Sequence, residues 1–167
     1  MGQYFMMSKR LKHQTPADFG LIEADTGDYV VHPDDNSRWI RCNLYDFGWG
    51  REIGYYRVPL PRFSELLQIL LESNDIDDIY GSAAMIMEKY PNDLLACCEE
   101  LFTLPIDYDS AEKMIKVLQL DQCINRIPIQ GKSFNEIEND FMRWQEVGRK
   151  AKSLLCQRPA KKKSPQT

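Results

Sequence analysis

The chain has 167 residues, 43% hydrophobic and 28% charged, with a net charge of −4. These proportions lie near globular averages and exclude global disorder, and no apolar run reaches the roughly 18 residues that a membrane span needs. One α+β domain over 1–157 is expected, with the sheet in 1–58, the helices in 61–157 and a disordered basic tail over 158–167.

At the N-terminus Met1-Gly2-Gln3-Tyr4-Phe5-Met6-Met7 precedes Lys9 and Arg10, with no apolar stretch after them. A signal peptide has these features in the opposite order. Met6 also stands where a myristoylation motif wants Ser or Thr. The expected location is cytoplasmic.

The first sixty residues read as strands. Segments 19–24 and 29–32 flank Asp25-Thr26-Gly27-Asp28, a turn sequence. Segment 38–45 mixes Trp39, Ile40, Cys42 and Leu44 with Arg38, Arg41 and Asn43 at roughly period two. The Gly-rich bend Asp46-Phe47-Gly48-Trp49-Gly50 leads to 52–58, so an antiparallel meander of three to five strands is expected.

After Pro59-Leu60-Pro61 the apolar period becomes helical. Phe63, Leu66, Leu67, Leu70 and Leu71 predict a first helix, and Asn74-Asp75 ends it and caps the next. Ile76, Ile79, Tyr80, Ala83, Ile86, Met87 and Tyr90 are expected to form the second helix's apolar stripe. Pro91 breaks that helix and opens a third. Asp109 with Glu112 predicts a capping box for a fourth helix, and Ser133 with Glu136 one for a long fifth. The result is a helical layer of about five helices after a small N-terminal antiparallel sheet.

Few motifs carry chemistry. Asp46-Phe47-Gly48 spells a kinase tripeptide, but the accompanying Gly loop, strand lysine and catalytic loop are missing, so it reads as a turn. Gly131-Lys132-Ser133 resembles the end of a phosphate loop, but Arg126 stands where that motif needs its first glycine. Gly131 then reads as a loop glycine before the Ser133 cap. His13 and His32 are isolated, and a Cys–His pair stays open only because such partners meet in space rather than in sequence. Cys42, Cys97, Cys98, Cys123 and Cys156 lack metal spacing and read as reduced, mostly buried thiols. No cofactor, metal site or catalytic residue is expected. The short run Lys161-Lys162-Lys163 reads as part of a solvated tail, and nucleic acid as an unlikely partner for an otherwise acidic chain.

Charge is unevenly spread. From Glu72 to Glu112 there are eleven acids against Lys89 alone, a net of −10. First-turn acids suit the helix dipole, which accounts for Asp75, Asp77, Asp78, Asp93 and Asp109. Glu88, Glu99 and Glu100 come late in their helices, where the dipole disfavours them. The partner-binding candidates are therefore Asp77, Asp78, Glu88, Asp93, Glu99 and Glu100, facing a basic protein. The aromatic bend adds Tyr45, Trp49 and Arg51 as a second candidate contact.

The run Asp77-Asp78-Ile79-Tyr80-Gly81-Ser82-Ala83-Ala84-Met85-Ile86-Met87-Glu88-Lys89-Tyr90-Pro91, followed by an apolar helix, resembles a HEAT-like helical hairpin. Its small residues, Gly81 to Ala84, would let neighbouring helices approach closely. With the N-terminal sheet and acidic helical body, the whole chain resembles the bacterial immunity proteins that neutralise polymorphic or contact-dependent toxins. That resemblance implies a cytosolic, non-enzymatic inhibitor that covers a basic toxin's active site, plausibly that of a nuclease. The alternatives are a general adaptor or a hydrolase built around the Gly-rich bend.

Overall fold

The structure, a computed structural model, describes residues 2–7, 15–25, 27–46, 51–101 and 107–157. The tail 158–167 and positions 47–50 of the bend lie outside these residues. The described chain is α+β, with a five-stranded antiparallel sheet in its N-terminal half followed by five α-helices. It divides into two compact units, Met1–Pro91 and Asn92–Thr167.

In the first unit the strands are β1 (Phe5–Met7), β2 (Ile22–Glu23), β3 (Val30–Val31), β4 (Arg38–Asp46) and β5 (Arg51–Arg57). Their spatial order is β1-β5-β4-β3-β2. The last four form the expected meander, and β1 adds an edge, pairing Met6 with Tyr55. Successive side chains of a strand point to opposite faces. Met6, Trp39 and Tyr55 therefore share one face with Val30, where Phe19 and Leu21 complete a core. Phe19 meets the Tyr55 ring edge-on at 5.1 Å. The opposite face is covered by helix α2 (Ile76–Lys89), whose Gly81 lies against the buried ring of Phe5.

The strand expected over 19–24 is shortened at its start to begin at Ile22. Pro16–Phe19 form a 3-10 turn, and only Ile22–Glu23 pair with β3. The Asp18 carboxylate accepts the Thr15 amide at 2.8 Å and the Thr15 hydroxyl at 2.7 Å. Proline with a local cap outcompetes a short alternating pattern here.

Helix α1 (Phe63–Glu72) packs on α2 through the short connection 73–75. Asp75 caps α2, accepting from the amides of Asp77 at 2.9 Å and Asp78 at 3.3 Å. The small residue Gly81 gives close approach to strand β1 rather than to a neighbouring helix.

The second unit holds most of α3 (Pro91–Leu101), with α4 (Tyr108–Val117), α5 (Phe134–Cys156) and a 3-10 turn at Leu120–Gln122. Leu94, Leu95, Met114, Ile115 and Trp144 are among its largest buried side chains. Helix α4 is capped two residues before the expected position. Asp107 accepts the Ser110 amide at 2.9 Å, which puts Asp109 inside the first turn, where a carboxylate suits the dipole. The Ser133–Glu136 box on α5 forms as read, with the Ser133 amide donating to Glu136 at 2.8 Å. Gly131, at φ 79°, makes the left-handed turn before it.

Candidate functional site

The acids between Glu72 and Glu112 separate by what their carboxylates touch. In the first unit Asp77 and Asp78 are 8% and 4% exposed. Asp78 lies in the first turn of α2, aimed at the N-terminal segment. Its Oδ1 accepts the amides of Tyr4 at 2.8 Å and Phe5 at 3.0 Å, and its Oδ2 accepts that of Gln3 at 2.9 Å. This carboxylate organises the backbone leading into β1.

Glu88, at the other end of α2, is exposed and accepts from Lys89 Nζ at 2.8 Å. The half-buried Cys42 thiol is pushed up to about 12, by burial first and by Glu88 second. Burial also raises the thiols of Cys97 and Cys98. An activated nucleophile needs a shift in the other direction. All five cysteines are free, but only Cys98 is fully buried, and Cys156 is exposed.

A cleft of about 870 Å³ opens between α1 and the end of β5, lined by Tyr4, Arg57, Val58, Glu65, Gln68 and Glu72 among others. Its charges are engaged locally. Arg57 pairs with Asp35 at 3.0 Å, Glu65 accepts the Arg62 amide at 2.8 Å, and Glu72 accepts from Gln68 at 2.9 Å. His32 Nδ1 accepts the Asp34 amide at 3.3 Å, which is turn chemistry, and His13 lies outside the described residues. Among the described residues no group of three His, Cys, Asp or Glu side chains could hold a metal ion.

In the second unit α3 carries Asp93, Glu99 and Glu100 and no basic residue. Asp93 and Glu100 are exposed and seven residues apart, hence on one face of the helix. Glu99 flanks that face and is clamped by Arg143 of α5, whose Nε and Nη2 donate to its two oxygens at 2.8 and 2.7 Å. The hydrogen bond from Arg143 holds the Glu99 carboxyl below its ordinary range, and Glu99 in turn raises Arg143. Arg143 also lies 4.0 Å from Asp140, which is paired with Lys132. A chain of charges thus runs from α3 across α5 to the loop before it. A hollow of about 280 Å³ lies beside the clamp, lined by Glu99, Met142, Arg143, Glu146, Val147 and Lys150.

Tyr45 stands opposite Glu52 and Asp46 opposite Arg51 at the far end of the β4–β5 ladder, beyond a register irregularity at Asn43/Tyr45. Trp49 lies outside the described residues. No family model, no curated protein and no solved structure matches this chain.

The structure therefore brings Asp93, Glu99 and Glu100 together on one helix and places Asp78 inside the first unit. Sequence reasoning missed Arg143. Its spacing with Asp140, Glu146 and Arg149 on α5 was visible, but its main partner lies 44 residues away.

Proposed function

We propose that this chain is a non-enzymatic binding protein of the immunity type, which places the acidic outward face of α3 against a basic toxin. The observation that carries this reading is the arrangement on α3. Asp93 and Glu100 share an exposed face without a cation on the same helix, and Glu99 beside them is fixed by Arg143. Exposed carboxylates on a helix that carries no base of its own create a field that steers a cationic partner. The raised thiols of Cys42, Cys97 and Cys98 favour a binding role over cysteine chemistry. Among the described residues no helix is long and apolar enough to cross a membrane, and the cytoplasmic location belongs to this proposal. Tyr45, Trp49 and Arg51 form a second contact in the same reading, and a toxin nuclease is the preferred partner.

The reading requires a basic toxin encoded beside this chain's gene. The test is to express that toxin with the wild-type chain or with the variant Asp93→Asn/Glu100→Lys, and to score survival. Survival that needs the chain and is lost in the variant supports the proposal. A toxin that kills regardless of the chain overturns it, and survival unchanged in the variant moves the contact away from α3.

A further inference from the structure

The exposed side of α5 holds large apolar groups that no described part of the chain covers: Phe134 is 78% exposed, Phe141 43% and Met142 58%. The exposed seam runs Phe134, Glu138, Phe141, Gln145, Arg149, Lys152 and Cys156, with steps of four, three and four residues on each side of Gln145. These steps keep one face over 23 residues, about 34 Å at 1.5 Å per residue. The seam is therefore one helical face, and like any such face its positions are symmetric about their centre, here Gln145.

It is complementary in chemistry about the same point. Glu138 and Lys152 stand seven residues to either side of Gln145, both exposed, and neither forms an ion pair among the described residues. Phe141 and Arg149 stand four to either side, and Arg149 is oriented by Glu146 at 2.7 Å. Phe134 and Cys156 stand eleven to either side. From Phe134 to Met142 the helix carries acids and no base, and from Arg149 to Cys156 bases and no acid. This polarity also suits the helix dipole, but the dipole gives no reason for phenylalanines in water.

We propose that this seam is a self-association surface, on which a second copy of the chain lays its own α5 antiparallel with the two-fold axis at Gln145. In an isologous contact residue i meets j and j meets i, so a helical face with complementary ends closes on itself. Glu138 then faces the second copy's Lys152, and Phe141 lies under the second copy's Arg149 as a cation–π pair. The two phenylalanines leave water between helices about 8–10 Å apart. The toxin reading neither requires nor excludes this contact, since it uses α3.

The test is the mass of the full chain by sedimentation equilibrium over a wide concentration series, with helicity checked by circular dichroism. The wild type should move from 19.5 kDa toward twice that value as concentration rises. Phe141→Lys, which removes the ring and sets a like charge against the second copy's Arg149, should stay at the single-chain mass throughout. Glu138→Lys should raise the dissociation constant by about tenfold, because symmetry turns one substitution into two like-charged contacts. Adding Lys152→Glu to Glu138→Lys should restore dimerisation, since the charges then oppose again with their signs exchanged. A wild type that stays single at the highest concentration overturns the proposal. So does a dimer indifferent to Phe141→Lys, or a double variant no better than Glu138→Lys alone.

Discussion

The carboxylate of Asp78 accepts the backbone amide of Tyr4 at 2.8 Å, and with it those of Phe5 and Gln3. One side chain thus satisfies three amides leading into edge strand β1, 73 to 75 residues earlier in the chain. Truncating it strands buried donors as well as removing charge-assisted bonds. Asp78→Ala should lose about 3 kcal/mol or more of unfolding free energy in urea titration. Asp78→Asn should lose less, because one oxygen can still serve Tyr4 and Phe5. A loss below about 0.5 kcal/mol, the level of an ordinary surface change, would show that this anchor is not formed in solution.

Gly81 lets α2 approach β1 closely. A Cβ built there would fall on the ring of Phe5, which is fully buried between helix and sheet. Alanine improves helix propensity by about 1 kcal/mol, whereas overpacking a filled core costs roughly 1–3 kcal/mol. The steric effect should win, so Gly81→Ala should lower the melting temperature despite its better propensity. Pairing it with Phe5→Leu should recover part of the loss, which a purely backbone effect would not allow.

Helix positions were legible because their signals are local. Ser133 and Glu136 lie three residues apart and cap α5 as read, and Pro91 opens α3. Strand β1 was not legible, because Phe5, Met6 and Met7 take their meaning from β5, about fifty residues downstream. The acidic stretch was legible as composition but not as geometry. A first-turn aspartate such as Asp78 looks the same in sequence whether it meets water or a folded-back backbone. Glu99 sits where the helix dipole disfavours a carboxylate, and Arg143 supplies the compensating charge.

That pair also makes a pH prediction. The Glu99 carboxyl titrates below its ordinary value because Arg143 donates to it. A depressed folded-state value stabilises above the unfolded value, near 4.5, and the contribution disappears as pH falls through the lowered one. The pair is about two-fifths exposed, so solvent screening keeps the coupling small. A double-mutant cycle of Glu99→Gln and Arg143→Met should give about 0.5–1 kcal/mol at neutral pH, the upper end for surface pairs because the contact is bidentate. The coupling should decline as pH falls below about 4.5 and through the lowered value. A coupling that stays constant until the protein unfolds in acid would mean that the pair does not act through charge.

The clamp decides which acids can test partner binding. Replacing Glu99 would free Arg143 and disturb how α5 is held, confusing fold with recognition. Glu100 is exposed near the end of α3, where lysine suits the dipole, and Asp93→Asn removes a charge with little change of shape. With a cognate basic toxin, the association rate of the wild type should fall steeply as salt rises, since steering gains on the order of 10- to 1000-fold are screened within about a Debye length. Asp93→Asn/Glu100→Lys should begin slower and depend less on salt, with the dissociation rate changed less than the association rate. Stopped-flow rates at low and high ionic strength separate these effects. If both proteins associate at the same salt-independent rate, the acids of α3 are a solvated face and recognition lies elsewhere.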